Sequence, residues 1–514
     1  MAQPITELGD GGINLDSPPF ILPPNVFSDA LNVRFDDDSV STTTGEIASR
    51  VVSIAPTYGI HWRRPDQGYN IFANESGVIH RYTASGTSSV MYTGAGPYVG
   101  GRWQGTLFNG GFAVVLNNGQ STPLYCLYGD PSADTVFIAL PGWNYVGGLT
   151  VTAKVIRSLN YSLVAANLTL VDGAVTTYAP STIRVSAQAA TGNIPTVWLP
   201  GTTTDTADEF EISTTSPILD MLELRGSMFI YSSDSISIMT VSSAGTKIQP
   251  YSKSYGILNI DCVVEFDGNH LVVDRNDIYL HNGSGAITSI AQKRVKKWFF
   301  ANLNKSYINK VQVIKNPQYK EIWICFPMGS STVNNMALVF QYTTKTWTKR
   351  TLASVTYAFN GPSNASNAWQ YGNERVYMTT NSTQTLITDD VYTMYTGSII
   401  TSFTNYVERK KISSGDDSKV TAISSFLPVF DRVPTDSSIS ITVVGQHNYT
   451  KDVDLSVDNG IVSDTFVFLP NDPGGQGYKV DPRAGGRLLN FRISAKSYWR
   501  LAQYSIEAQQ TSRR

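Results

Sequence analysis

Five histidines, His61, His80, His270, His281 and His447, are the side chains of this sequence best suited to metal or acid–base chemistry, and only His270 and His281 stand close together. They lie eleven residues apart across a predicted hairpin, with Asp274 and Asp277 between them, so two imidazoles and a carboxylate could meet an ion there. The plainer expectation is two polar residues on a sheet, and no metal, cofactor or catalytic residue is predicted. Asp36, Asp37 and Asp38 are contiguous and run into Ser39-Val40, which breaks the alternation of a calcium loop and reads as a solvated turn. The sequence carries no nucleophile elbow, zinc-protease helix, P-loop or dinucleotide fingerprint. A sialidase-type propeller would repeat Ser-x-Asp-x-Gly-x-Thr-Trp boxes; Thr343-Thr344-Lys345-Thr346-Trp347 keeps the Thr-Trp and lacks the Asp and the Gly. An enzyme is therefore not expected.

Positive charge gathers in two places, and Lys293, Arg294, Lys296, Lys297, Arg409, Lys410 and Lys411 are the candidate partner contacts. The first group adjoins Trp298-Phe299-Phe300 and reads equally as a solvated helix turn above an apolar anchor. With a formal net charge of −2 the chain has no excess of cations to neutralise phosphates, so a protein interface is favoured over a nucleic-acid clamp.

The elements that must position these residues are strands. Charged residues make up only 16% of 514 residues, Ser, Thr, Asn and Gly fill the difference, and 27 Tyr and 21 Phe suit a pleated surface. In 262–350, Val263-Val264-Glu265-Phe266 and His270-Leu271-Val272-Val273 flank Asp267-Gly268-Asn269, and Ile278-Tyr279-Leu280-His281 runs into Asn282-Gly283, the signature of tight hairpins. Strand pairs of this kind recur with starts at His61-Trp62, Arg102-Trp103, Val155-Ile156, Met221-Leu222, Val263-Val264, Val311-Gln312 and Val355-Thr356. Their spacing overlaps the ~40–50 residues of four-stranded propeller repeats.

The expected fold is all-β: a divergent β-propeller of about six to seven blades over 51–395, with an expansion around 143–216, preceded by an extended arm in 1–50 and followed by a C-terminal β-sandwich-like domain in 396–514. Pro18-Pro19 and Pro23-Pro24 keep the arm out of helices and central strands, so it must lie along something else. A turn-rich break is expected at Leu469 to Gly477. Cys126, Cys262 and Cys325 stand far apart in apolar runs and read as core thiols of a chain made in a reducing cytoplasm. The N-terminus shows no secretory signal pattern and no apolar run approaches a membrane span.

Several segments together resemble the tail nozzle, or packaged-DNA stabilisation, proteins of short-tailed bacteriophages: Gly11-Gly12-Ile13-Asn14, Asp29 to Phe35, Ser233 to Met239, Asn259 to Gly268, Asp277 to Gly283, Val295 to Phe300, Glu321 to Pro327, Ala337 to Phe340 before Thr346-Trp347, and Gly486 to Ile493 before Trp499-Arg500-Leu501. The resemblance covers nearly the whole chain, least over 85–216. It implies a structural protein of the virion tail, six copies in a ring below the portal and adaptor, around a channel that retains and then passes viral DNA without reading its sequence. It also implies contacts with tail fibres or tailspikes. The alternatives are a glycan-binding or glycan-cleaving propeller and a nucleic-acid-binding one.

Overall fold

The structure is a computed structural model that describes every residue except 1–3, 99–100, 146–148, 200–205, 215, 243–244, 364–373, 397–398, 414–419, 433–437, 449–451, 457–462, 468–478, 483 and 513–514. The turn-rich break at 469–477 thus lies outside the described residues. Strands dominate, and the α-helices among the described residues are two short ones, Leu8–Gly11 and Lys296–Asn302.

Five four-stranded antiparallel meanders follow one another along the chain: sheet one from Tyr58–Arg63 to Ser88–Thr93, sheet two from Gln104–Phe108 to Ile138–Ala139, sheet three from Thr150–Leu159 to Asp208–Glu211, sheet four from Ile218–Leu224 to Gly245–Ser252, and sheet five from Val263–Phe266 to Ile287–Ser289. Sheet six has seven strands. It begins with Gln312–Asn316, Glu321–Phe326 and Asn334–Gln341, which meet the first half of the 17-residue strand Thr346–Pro362. The second half of that strand leads to Glu374–Thr380, Gln384–Thr388 and finally Glu46–Val51, supplied from the other end of the chain. The change of partner falls at Val355, just after Ser354 adopts a φ of +53°, so a bulge divides the sheet into two four-stranded halves sharing one strand.

All seven strand starts read from the sequence fall in or just before the first strand of a sheet or, for Val355, at this division. The hairpin reading holds in detail: Phe266 pairs with Asn269 across a two-residue turn in which Asp267 and Gly268 both have positive φ, as a primed turn requires. The expansion around 143–216 corresponds to sheet three, whose first three strands run 10, 11 and 11 residues.

Successive first strands lie side by side, from Tyr58–Arg63 through Gln104–Phe108, Thr150–Leu159, Ile218–Leu224 and Val263–Phe266 to Gln312–Asn316, and the long strand of sheet six lies against Tyr58–Arg63. Apolar clusters fill the spaces between. Val115, Trp143 and Trp198 pack sheet two on three, Val155, Met221 and Met239 pack three on four, and Trp62 and Phe72 meet Phe359 and Tyr377 of the last half-sheet. Trp62 also donates from Nε1 to the Gly111 carbonyl at 2.9 Å. Gly111 has φ +98°, and a Cβ there would sit 1.9 Å from the Arg63 carbonyl, so the close approach of sheets one and two demands glycine.

The C-terminal part is two five-stranded sheets packed through Phe426, Phe491 and Tyr504, with Phe426 and Phe491 rings 4.9 Å apart. Residues 1–50 do not stand apart from it. Asp29–Leu31 edges one sheet, Val33–Asp36 and Ser39–Thr42 extend the other, and Asp37 and Asp38 form the exposed turn between those two strands. Strand edges need partners, and the N-terminal segment finds them within its own chain. The buried ion pair of Arg34 with Glu321, 2.6 Å, fastens these strands to sheet six, and a second, Arg350 with Glu46 at 2.6 Å, ties the last strand of sheet six to its long strand.

Candidate functional site

His270 and His281 are direct cross-strand partners on sheet five, and Tyr231 of sheet four reaches both, at 2.6 Å to His270 Nδ1 and 2.7 Å to His281 Nε2. The hydrogen positions follow from the acceptors. His270 Nε2 lies 3.1 Å from the Glu223 carbonyl and must donate to it. Nδ1 of the neutral ring is then bare and accepts from the tyrosine hydroxyl, so the hydroxyl oxygen must in turn accept from His281 Nε2. The relay ends at His281 Nδ1, which has no partner among the described residues. Burial lowers the pKa of His270 to about 3, with His281 adding to the shift, and that of His281 to about 4. Asp277 turns elsewhere, accepting from Ser289 and pairing with Lys296 at 3.4 Å. Among the described residues no three His, Cys, Asp or Glu side chains converge as a metal site. Cys126, Cys262 and Cys325 are buried free thiols, and burial pushes Cys126 and Cys325 up to about 12.

The basic clusters are placed differently from each other. Asp16 accepts from the Lys297 and Trp298 amides, both at 3.0 Å, and Arg294 Nη1 donates to the Gly11 carbonyl at 3.0 Å, so the helix Lys296–Asn302 anchors the N-terminal arm. Lys293 and Lys297 are exposed. Arg409, by contrast, is buried and donates to the Pro19 and Leu22 carbonyls at 2.7 Å. Lys410 pairs with Glu408 at 3.2 Å and Lys411 with Asp452 at 2.8 Å. The proline-rich arm therefore lies along this chain's own C-terminal sheets, held by guanidinium groups that its proline-flanked carbonyls satisfy.

A set of ions that sequence reading missed lies where the first strands converge. Arg157 of sheet three pairs with Asp220 of sheet four at 2.7 Å and with Asp261, just before sheet five, at 3.5 Å; Arg102, just before sheet two, reaches Asp261 at 3.2 Å. Backbone donors complete the lattice. The Met221 and Asp261 amides both donate to Asp220 at 2.8 Å, and Gln104 accepts from Arg157 Nη1 at 2.8 Å. Burial pushes the Asp220 carboxyl up against the pull of Arg157, whereas Asp220 and Asp261 outweigh burial and hold the Arg157 pKa above its ordinary value. The signal available in the sequence was a charge set directly against apolar neighbours, Arg157 after Val155-Ile156 and Asp220 between Leu219 and Met221.

Hydrogen bonds continue the joints in both directions. Val313 donates to the Asp261 carbonyl at 2.7 Å, Gln312 exchanges two hydrogen bonds with Ala358, and Thr356 Oγ1 donates to the Pro56 carbonyl at 3.0 Å. Beside the lattice is a cavity of about 350 Å³. Thr57, Arg102, Lys154, Ile218, Asn259, Lys310 and Thr356 line it, so each of sheets one to five and both halves of the sixth, or the segment leading into it, faces one space. Compared with known protein families and with curated proteins, the chain matches none. Among the described residues no helix is long and apolar enough to cross a membrane.

Proposed function

We propose that sheets one to five and the two halves of sheet six form a closed, seven-unit β-propeller, and that the chain is a structural component of a virion tail, the nozzle of a short-tailed bacteriophage. The observation that carries this reading is that the residues on which the resemblance rests are also the packing residues of the sheet joints: Ile278, Tyr279, Phe299, Trp323, Phe340 and Trp347 are all buried. A protein whose family-like residues build its frame works through shape and assembly.

On this reading viral DNA does not pass through the convergence of the first strands, because Arg102 spans from sheet two to Asp261 and donates to the Val311 carbonyl at 3.5 Å, filling the centre with paired ions. The passage lies between copies, and six of them close it by repeating one heterologous contact. The exposed Lys293 and Lys297 are the cationic positions left for an adaptor or fibre, with Arg409 committed to the arm. Electron microscopy of the purified chain and of particles carrying it tests the proposal. A six-fold ring at the distal end of a tail is expected; a chain that stays monomeric alone and with other tail proteins, and is missing from particles, overturns it.

A further inference from the structure

The cavity where the seven sheet units converge is rich in donors. Its lining holds three cations, Arg102, Lys154 and Lys310, against one carboxylate, Glu75. Arg102 is matched by Asp261, but Lys154 and Lys310 have no carboxylate partner among the described residues. Asn118, 2% exposed, turns its Oδ1 to the Gln120 and Ser121 amides at 2.9 and 2.8 Å, which leaves its buried amide nitrogen without an acceptor among the described residues; the amide nitrogen of Asn259 is in the same position. Three cations against one carboxylate around one space favour a ligand that accepts hydrogen bonds and carries negative charge. The volume, at the low end of the roughly 300–1,000 Å³ of small-molecule sites, admits something the size of one sugar ring and excludes a polymer. Thr57, Thr356 and Glu75 add acceptors for ligand hydroxyls.

We infer that this cavity binds a small hydroxylated carboxylate, of the class of acidic monosaccharides, with the carboxylate between Lys154 and Lys310. Its lining comes from the seven units or from the segments that lead into them. The inference is independent of the assembly reading, since every residue it uses belongs to one chain, and binding measured on the monomer decides it.

The test is ligand-detected NMR with the full chain and D-glucuronate, beside glucose, acetate and inorganic phosphate as probes. Glucuronate is expected to bind in the millimolar range, with glucose and acetate at least about tenfold weaker, one charge-assisted contact being worth about that factor. The double variant Lys154→Gln/Lys310→Gln should weaken glucuronate at least about tenfold. Lys154 is exposed and neither lysine belongs to the ion lattice, so an unchanged melting temperature confirms an intact fold. Glucose or phosphate binding as tightly as glucuronate, a variant that binds like the parent, or no glucuronate signal at tens of millimolar overturns the inference.

Discussion

Sheet four takes part in two enclosed polar sets, the ions of the Arg102–Arg157–Asp220–Asp261 lattice and the neutral relay of Tyr231, His270 and His281. The ions survive burial because opposite charges arrive from four different sheets or the segments just before them, and two backbone amides complete Asp220. The histidines meet no carboxylate among the described residues. Around them stand Phe229, with its ring 5.0 Å from His281, and Tyr251 at 5.2 Å, so desolvation outweighs the single bond from His270 to the Glu223 carbonyl and the rings stay uncharged. Whether a buried group keeps its charge is thus set by what the neighbouring sheet delivers, and the depth of burial alone does not decide it.

The largest test of the contrast is Asp220→Ala, which removes the nearer of the two carboxylates that pair Arg157, leaves it only Asp261 at 3.5 Å, and deprives two backbone amides of their acceptor. It should cost about 3–5 kcal/mol in reversible denaturant unfolding, whereas Arg157→Met combined with Asp220→Leu should recover most of the loss. A loss for the single variant under about 1 kcal/mol would mean that water already screens the lattice. The next effect is pH dependence. The folded pKa values of His270 and His281, about 3 and about 4, lie below the unfolded 6.5, so between those limits the unfolded state binds more protons. Stability is complete above pH 6.5 and falls as pH drops toward 4, by roughly 2 kcal/mol per histidine at pH 5. His61, lowered to about 4 by burial, contributes in the same sense, so His270→Gln/His281→Gln should flatten the slope without abolishing it. An unchanged slope would place the acid-sensitive groups elsewhere.

Much of the frame was legible in the sequence because hairpins are local. Asp267-Gly268 fixes a turn by the positive φ of two adjacent residues, and strand starts such as His61-Trp62 announce themselves by alternation. The candidate site was legible only in part. His270 and His281 are near in sequence and were noticed; Arg102, Arg157, Asp220 and Asp261 are spread over 160 positions and meet only once four sheets are stacked. The same distance hid the partner of the arm. Nothing local in Pro18-Pro19 or Arg409 says that 387 residues separate Arg409 from the Leu22 carbonyl it binds.

A smaller effect sharpens the neutral side of the comparison. Tyr231→Phe removes one oxygen and leaves both the His270 Nδ1 acceptor and the His281 Nε2 donor unpaired, a loss of about 1–3 kcal/mol. The mutant rings gain no counter-charge, so they should remain neutral at pH 6 in imidazole NMR; protonation there would show that the hydroxyl, rather than desolvation, keeps them neutral. The smallest expected change in stability is at Lys293→Gln/Lys297→Gln. Both side chains are exposed, while the contacts that hold the arm use the Lys297 amide and the Lys293 carbonyl, which the substitution keeps. Unfolding should shift by less than about 0.5 kcal/mol. A larger loss would put these two lysines with the buried ions as parts of the frame. An unchanged fold that no longer joins its partners in reconstituted tails would separate the two roles of charge in this chain: Arg157 and Arg409 hold it together, and Lys293 and Lys297 meet what lies outside.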